Sequence, residues 1–503
     1  MTLDVAYQEL VTHLKRVHSL GSVGELLGWD EQVNLPPKSA DQRAEQHSVL
    51  AEVIHAAASD KRLGELLKVL ESAATDADVA LDPDQRAVVR QARKDFDRAT
   101  KLPAEFVREK AEQGSRGFHA WAKAKKNSDF GSYVPVLEKN LELAKREAAY
   151  LGWEGRAYDY MIDKHDPGMT TAVIAHLFGE LRAELVPLVR QIAASKVHPQ
   201  TELLRGFPVE TQRVFLHEVT KRLGFNYGRG RIDVSLHPFC SGTGADVRMT
   251  TRFNADEPLD SLFSSIHETG HGLYEQGLPR EHRGTALGMN AGMGAHESQS
   301  RLWENQVSRN RGFWRYFEPR FRELFSPQTA GVSSDELYLA INAVQPTLIR
   351  VDADEVTYNL HIILRFELEQ KLFSGELAVR DLPDAWRELS RELLGLEPAN
   401  DREGVLQDVH WSDGAFGYFP SYCLGNMMAA QLWYHLLEVR PALEEDFAQG
   451  DFSWLLSWLN QNVHAQGRRI ELPELVKRTT GRELSPQPLI MYLKERYGPL
   501  YLV

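Results

Sequence analysis

His267, Glu268 and His271 stand in the order His-Glu-Thr-Gly-His. Two imidazoles four residues apart lie on one face of a helix and can hold one metal ion together. Glu268 sits about 100° round the helix from His267, by the 3.6-residue repeat. It can therefore reach a water at the ion without being a ligand. The flanking residues support a helix, because Leu262, Ile266 and Leu273 mark an apolar face. The competing reading is two surface histidines on an ordinary helix.

A catalytic zinc usually takes three protein ligands and keeps one position open. Residues 277–295 are rich in glycine and end the first helix, and residues 296–305 read as helix again. Glu297 follows His271 by 26 residues and is the candidate third ligand, from a helix returning beside the first. Glu304, about two helical turns further on, is the rival. The ordinary alternative is a surface Glu297 paired with Arg301 at i,i+4.

Helical periodicity dominates the elements that must position these groups. Residues 3–28, 40–72, 83–100, 103–126, 130–150, 170–195 and 208–223 read as amphipathic helices broken by turn residues. Residues 231–237 and 246–253 alternate, with Pro-Phe-Cys-Ser-Gly-Thr-Gly-Ala between them, and read as a short antiparallel pair. No fixed-period repeat or low-complexity linker marks a boundary. The expectation is a mainly α chain forming one large helical domain over 1–503. A small antiparallel β-sheet lies near the HExxH helix.

The 503 residues carry 58 Lys+Arg against 71 Asp+Glu, a formal net charge of −13. That balance argues against nucleic acid and against an anionic membrane surface as partners. Cys240 and Cys423 are the only cysteines, a usage that fits a reducing compartment. The N-terminal residues lack the apolar core of a signal peptide, and no stretch approaches the 18 apolar residues of a membrane span. A cytoplasmic protein is expected. A phosphate loop, a dinucleotide glycine fingerprint and a Gly-x-Ser-x-Gly elbow are all missing.

Further motifs fall in a fixed order: His237-Pro-Phe239, Asp246-Val-Arg-Met-Thr250, His267-Glu-Thr-Gly-His271, His296-Glu-Ser-Gln299, Ile349-Arg-Val-Asp-Ala-Asp354 and Gly404-Val-Leu-Gln-Asp-Val-His-Trp411. Leu27-Gly-Trp-Asp30, followed by Pro36-Pro37, fits as well. In these motifs the chain resembles metallocarboxypeptidases of the Taq carboxypeptidase type. The resemblance implies a mostly helical domain with a deep substrate cleft, about 1–80 flanking it and about 230–305 carrying the sheet and metal-binding helices. It implies peptide substrates with a free C-terminus, a homodimer and one divalent metal, zinc or sometimes cobalt. It also implies His267, His271 and Glu297 as ligands and Glu268 as the catalytic carboxylate.

The remaining motifs then gain candidate roles. Residues 347–373 read as one long helix beginning after Pro346. Arg350, Asp354, Tyr358, His361 and Arg365 form a polar stripe along it. The plain reading is a solvated face with an Arg350–Asp354 pair. The sharper one makes Arg350 the fork that binds a terminal carboxylate through two parallel hydrogen bonds. His410, Tyr418 and Tyr422, in a glycine-containing stretch, are candidate donors to substrate or to a developing oxyanion, with Tyr422 favoured. His237 touches substrate or is structural. Arg248 braces the sheet or pairs with Asp233. Two rival functions remain open: an oligopeptidase that cuts internally, and a non-catalytic helical binding protein with a structural metal.

Overall fold

Long runs of good helix formers, punctuated by proline and glycine, give a chain that is mostly helix. The computed structural model describes residues 2–74 and 81–503. The first helices are α1 (Leu3–Val33), α2 (Ala40–Ala58), α3 (Lys61–Ala74), α4 (Pro83–Lys101), α5 (Ala104–Asn127), α6 (Val134–Tyr150), α7 (Ala157–Asp163), α8 (Thr171–Ala194) and α9 (Val209–Leu223). Three strands follow, β1 (Gly230–Val234), β2 (Cys240–Ser241) and β3 (Val247–Thr251). Then come α10 (Pro258–Gly277), α11 (Met293–Arg301), α12 (Arg311–Leu324), α13 (Ser326–Thr329), α14 (Ser334–Ile341), α15 (Tyr358–Ser374), α16 (Leu382–Leu394) and α17 (Phe419–Val439). The C-terminal helices are α18 (Leu443–Ala448), α19 (Ser453–Asn462), α20 (Leu472–Thr480) and α21 (Gln487–Tyr501). No helix among the described residues is long and apolar enough to cross a membrane.

The chain divides into two compact units. The first comprises Met1–Thr100, Thr201–Ile341 and Leu432–Gly481; the second comprises Lys101–Gln200, Asn342–Gln431 and Arg482–Val503. In the first unit α1, α3 and α4 share a core that includes Ala6, Leu10, Leu63, Leu66, Leu67, Leu70, Val88 and Ala92. The single helix expected over 40–72 is two helices. Asp60 divides them, since its carboxylate accepts from the Arg62 N–H at 2.8 Å and starts a new turn.

The sheet is mixed, in the order β1-β3-β2. β2 pairs antiparallel with β3, but β1 runs parallel to it, Gly230 opposite Val247 and Val234 opposite Thr251. The expected antiparallel pairing of 231–237 with 246–253 is therefore corrected. The glycine-rich turn joins β2 to β3 rather than β1 to β3. Gly242 makes it possible at φ +83°, where a Cβ would lie 2.0 Å from the Asp246 carbonyl oxygen. The chain has already reversed once between β1 and β2, which puts β1 on the opposite edge of β3.

α1 is fastened to this sheet through Trp29. The guanidinium groups of Arg231 and Arg248 lie 5.0 and 4.2 Å from its ring centroids. Such contacts are each worth about 0.5–2 kcal/mol. Arg248 is in turn paired with Asp246, not Asp233, which Arg231 holds. Asp30 takes Arg43 at 2.6 Å and fixes α2 to α1.

In the second unit the helix expected over 347–373 begins only at Tyr358. The Asp354 carboxylate accepts from the backbone N–H groups of Gln345, Val356 and Thr357 and from the Thr357 hydroxyl. A carboxylate holding three backbone donors fixes a loop and starts a helix instead of pairing with Arg350. Residues 350–352 form a single 3₁₀ turn, and Val351 is exposed.

Candidate metal centre

α10 carries its apolar residues Leu262, Phe263, Ile266 and Leu273 into the core of the first unit. Its glycines set how closely other elements approach. A Cβ at Gly270 would lie 2.5 Å from both the Gln299 carbonyl oxygen and the Ser300 Cα. Glycine therefore lets α11 pack backbone to backbone against α10. A Cβ at Gly272 would likewise meet Phe225 at 2.9 Å. α11 is pinned further by Gln299, whose Oε1 lies 3.0 Å from the His464 Nε2. His464 is fully buried, and burial pushes its imidazole down to about 3.

This packing brings His267 and His271 of α10 together with Glu297 of α11. One donor atom from each lies within 4.8 Å of the others. His267 Nε2 is 3.7 Å from Glu297 Oε2, and His271 Nε2 is 3.9 Å from Glu297 Oε1. These gaps are too long for hydrogen bonds. Three Lewis bases facing one another at these distances make a donor set that could hold a metal ion. Two imidazoles and a carboxylate suit zinc and also other divalent ions.

Glu304 is not among these donors. A short π-helical segment, Leu302–Val307, continues α11 and turns the Glu304 carboxylate onto His267 Nδ1 at 2.8 Å. Such segments recur at functional sites. The bond leaves His267 Nε2 facing Glu297. Burial is the largest influence on the His267 pKa and lowers it, but the Glu304 hydrogen bond and the charges of Glu297 and Glu304 together outweigh it, and the net shift is upward. Burial raises the Glu304 carboxyl, yet Arg301 and His267 pull it down to about 2. The Glu297–Arg301 pair expected on a surface helix is long, at 3.9 Å, and buried. Glu268 is 6 % exposed. Burial pushes its carboxyl up to about 7, against the pull of His267.

In the second unit Arg350 is buried in a cage of its own. Its Nε donates to Asp408 at 2.9 Å and its Nη1 to the Tyr358 hydroxyl at 3.0 Å. Arg365 grips the other Asp408 oxygen, and Gln407 Oε1 accepts from both Arg350 N–H and Arg365 Nη2. The two guanidinium groups overcome burial and hold Asp408 far below the usual carboxylate range. Arg350 Nη2 makes no hydrogen bond among the described residues. The Arg350 guanidinium lies 5.2 Å from the Tyr422 ring centroid. His410 Nε2 is 3.3 Å from the Tyr422 hydroxyl, and Tyr418 packs edge-on to Tyr422. Burial depresses the His410 pKa to about 4, so its ring is neutral at pH 7. Glu369 of α15 ties down the stretch bearing these groups, accepting from Trp411 Nε1, Tyr158 hydroxyl and Gly417 N–H. Burial lifts its carboxyl to about 7.

His267, His271, Glu297 and Glu268 thus gather in the first unit, and Arg350, His410, Tyr418 and Tyr422 gather in the second. His237 joins neither cluster through its ring, which is exposed. Its carbonyl accepts from the Ser235 hydroxyl instead. Sequence reasoning missed His296, which hydrogen bonds His271, and Glu275, which hydrogen bonds His296. Glu275 repeats the four-residue spacing of His267 and His271 along α10, a signal that was available. It also missed Asp408 as the partner of Arg350, for which no local spacing gives a signal.

The sequence profile of the Carboxypeptidase Taq (M32) metallopeptidase family matches residues 9–497. Thermostable carboxypeptidase 1 of Thermus thermophilus is 41% identical over 514 residues, covering all of both chains. Carboxypeptidase 1 of Bacillus subtilis is 37% identical over 505 residues, again covering all of both. The crystal structure of the M32 carboxypeptidase from Deinococcus radiodurans superposes with a TM-score of 0.96 at 45% identity, over 99% of this chain and 100% of that one. Similarity of this extent, in sequence and in fold, makes the chain a member of the M32, Taq-type carboxypeptidase family of metallopeptidases.

Proposed function

We propose that the chain is a metal-dependent carboxypeptidase that releases residues from the free C-terminus of peptides. The observation that carries this reading is the convergence of His267, His271 and Glu297 donor atoms within 4.8 Å. These three side chains hold one divalent ion, zinc in this reading with cobalt as the alternative. When bound, the ion supplies Lewis-acid chemistry, polarising the scissile carbonyl and acidifying water. Glu268 takes the proton of the attacking water on a carboxylate oxygen and returns it to the leaving amine. A carboxyl lifted to about 7 suits transfer in both directions.

Arg350 binds the terminal carboxylate of the substrate through its unused Nη2 edge. The names of the relatives, all carboxypeptidases, support an anchor of this kind. Tyr422, Tyr418 and His410 donate to that carboxylate or to the developing oxyanion, and His237 touches substrate further out. The reading also includes one metallopeptidase domain over 1–503 with a substrate cleft, a homodimer and a cytoplasmic location. Light scattering tests the dimer.

The deciding experiment pairs metal content per chain with mass-spectrometric product analysis, on wild type and Glu268→Gln. Each receives a peptide as the free acid and as the C-terminal amide. One metal in both proteins, with stepwise trimming of the free acid by wild type alone, is expected. Internal cleavage of acid and amide alike would make the chain an oligopeptidase. Absence of metal, or trimming that survives Glu268→Gln, would remove the mechanism.

A further inference from the structure

The two metal-binding histidines are oriented in different ways. His267 donates from Nδ1 directly to a carboxylate, that of Glu304. His271 reaches a carboxylate from its Nδ1 through a second histidine. Its Nδ1 is hydrogen bonded to the Nδ1 of His296, and the His296 Nε2 lies 2.9 Å from Glu275 Oε1. The Asn290 amide donates to the same Glu275 oxygen at 3.2 Å. The His271 and His296 ring centroids are 4.6 Å apart, and the Tyr274 ring lies 5.1 Å from that of His296. His271 and Glu275 are one turn apart on α10, while His296 comes from α11.

An Nδ1-to-Nδ1 hydrogen bond needs one protonated and one bare nitrogen. His271 Nε2 faces Glu297 and must be bare to bind a metal, so a neutral His271 carries its proton on Nδ1. His296 Nδ1 must then be the acceptor. A neutral His296 keeps its own proton on Nε2, where the Glu275 carboxylate accepts it. The three groups admit one self-consistent arrangement of protons. If His296 donated instead, the His271 proton would sit on Nε2 and block that ligand.

We propose that His296 is the positioning residue that locks His271 in its Nδ1–H tautomer, leaving Nε2 bare, and that Glu275 locks His296 in turn. The proposal rests on the reading of His267, His271 and Glu297 as the metal-binding set. Outer partners of metal-binding histidines typically contribute 10–100-fold in affinity.

The test compares His296→Asn with His296→Leu. Asparagine keeps an acceptor oxygen near the place of the imidazole Nδ1; leucine fills the space without one. Zn²⁺ affinity is measured by competition with a chromogenic chelator. The leucine variant should bind Zn²⁺ about 10–100-fold more weakly, and the asparagine variant within about threefold of wild type. Equal losses in the two variants, or wild-type affinity in the leucine variant, would overturn the proposal. A second measurement needs neither variant nor metal. Ring ¹⁵N shifts of the metal-free, [¹⁵N]histidine-labelled protein should report His271 protonated at Nδ1 and bare at Nε2, and the opposite tautomer would overturn the relay. If His271→Ala binds Zn²⁺ as tightly as wild type, the metal-binding set itself is at fault, and the ring shifts still decide the relay.

Discussion

At the candidate metal centre, His267 and His271 face Glu297 across 3.7 and 3.9 Å, too far for a hydrogen bond. Around Arg350 the opposite holds. Both Asp408 oxygens are taken by guanidinium groups, and Gln407 is saturated through both ends of its amide. Both regions are buried and both centre on carboxylates. The difference lies in where satisfaction comes from. The first is held in shape by outer partners, Glu304 on His267 and His296 on His271, while its inner faces stay open. The second satisfies itself and leaves a single guanidinium edge. A buried donor set that does not pair internally keeps its lone pairs for a further partner, whereas a closed network supplies its own partners.

That contrast can be broken by substitution. Glu268→Gln should reduce kcat by about 10³-fold, within the range for a lost general acid–base group, with metal content and melting temperature unchanged. A parallel loss of metal would show that Glu268 builds the centre rather than working in it. Asp408→Asn attacks the closed network. Loss of one partner of a buried ion pair costs about 3–5 kcal/mol, so urea unfolding should show a large fall in stability. An effect under about 1 kcal/mol would mean that the network is not a structural unit.

Arg350→Ala tests the edge left free. It should lower kcat/KM for free-acid peptides by about 10²-fold, the worth of two charge-assisted hydrogen bonds. Amides should be much less affected, and metal affinity should be unchanged. Equal losses on acid and amide would remove Arg350 as the carboxylate anchor.

The smallest effects are opposite pH slopes of stability from the two units. His464 has a folded pKa of about 3, below its ordinary value near 6.5. Its contribution is present above pH 6.5 and is lost as pH falls toward 3. Glu369 has a folded pKa of about 7, above its ordinary value near 4.5. Its contribution is full below pH 4.5 and is lost as pH rises through 7. Each slope is at most about 1.4 kcal/mol per pH unit. Glu369→Gln should therefore flatten the decline between pH 4.5 and 7, and His464→Gln the rise between 3 and 6.5, in denaturant titrations across pH. A Glu369→Gln slope equal to wild type would place the buried proton elsewhere.

Much of the helical frame could be read from the chain. Helices α4, α5, α8 and α9 begin and end close to the expected limits, and α1 begins where expected but runs on to Val33, since apolar periodicity and end signals are local. The break at Asp60 was missed because a single carboxylate accepting one N–H interrupts a pattern that otherwise continues. The polar stripe from Arg350 to Arg365 failed for a related reason. Helical spacing was read through residues that Asp354 holds in a loop. The β1–β3 pairing was missed because alternation identifies strands but not which edge each one takes.

The candidate site divides along the same line. The relative placement of His267, Glu268 and His271 on one helix could be read from the sequence, because an α-helix relates residues one and four positions apart by geometry alone. Glu297 and Glu304 were both candidates for the third position at that level. Which of them faces both histidines was decided by the backbone contact at Gly270 and by the π-helical turn that places Glu304 on the Nδ1 of His267. The Asp408 grip on Arg350 and the His296 relay to His271 also came only with the fold. These partners are 58 and 25 residues apart in the chain. Local periodicity reaches only a few residues along the chain, so such separations are settled by packing.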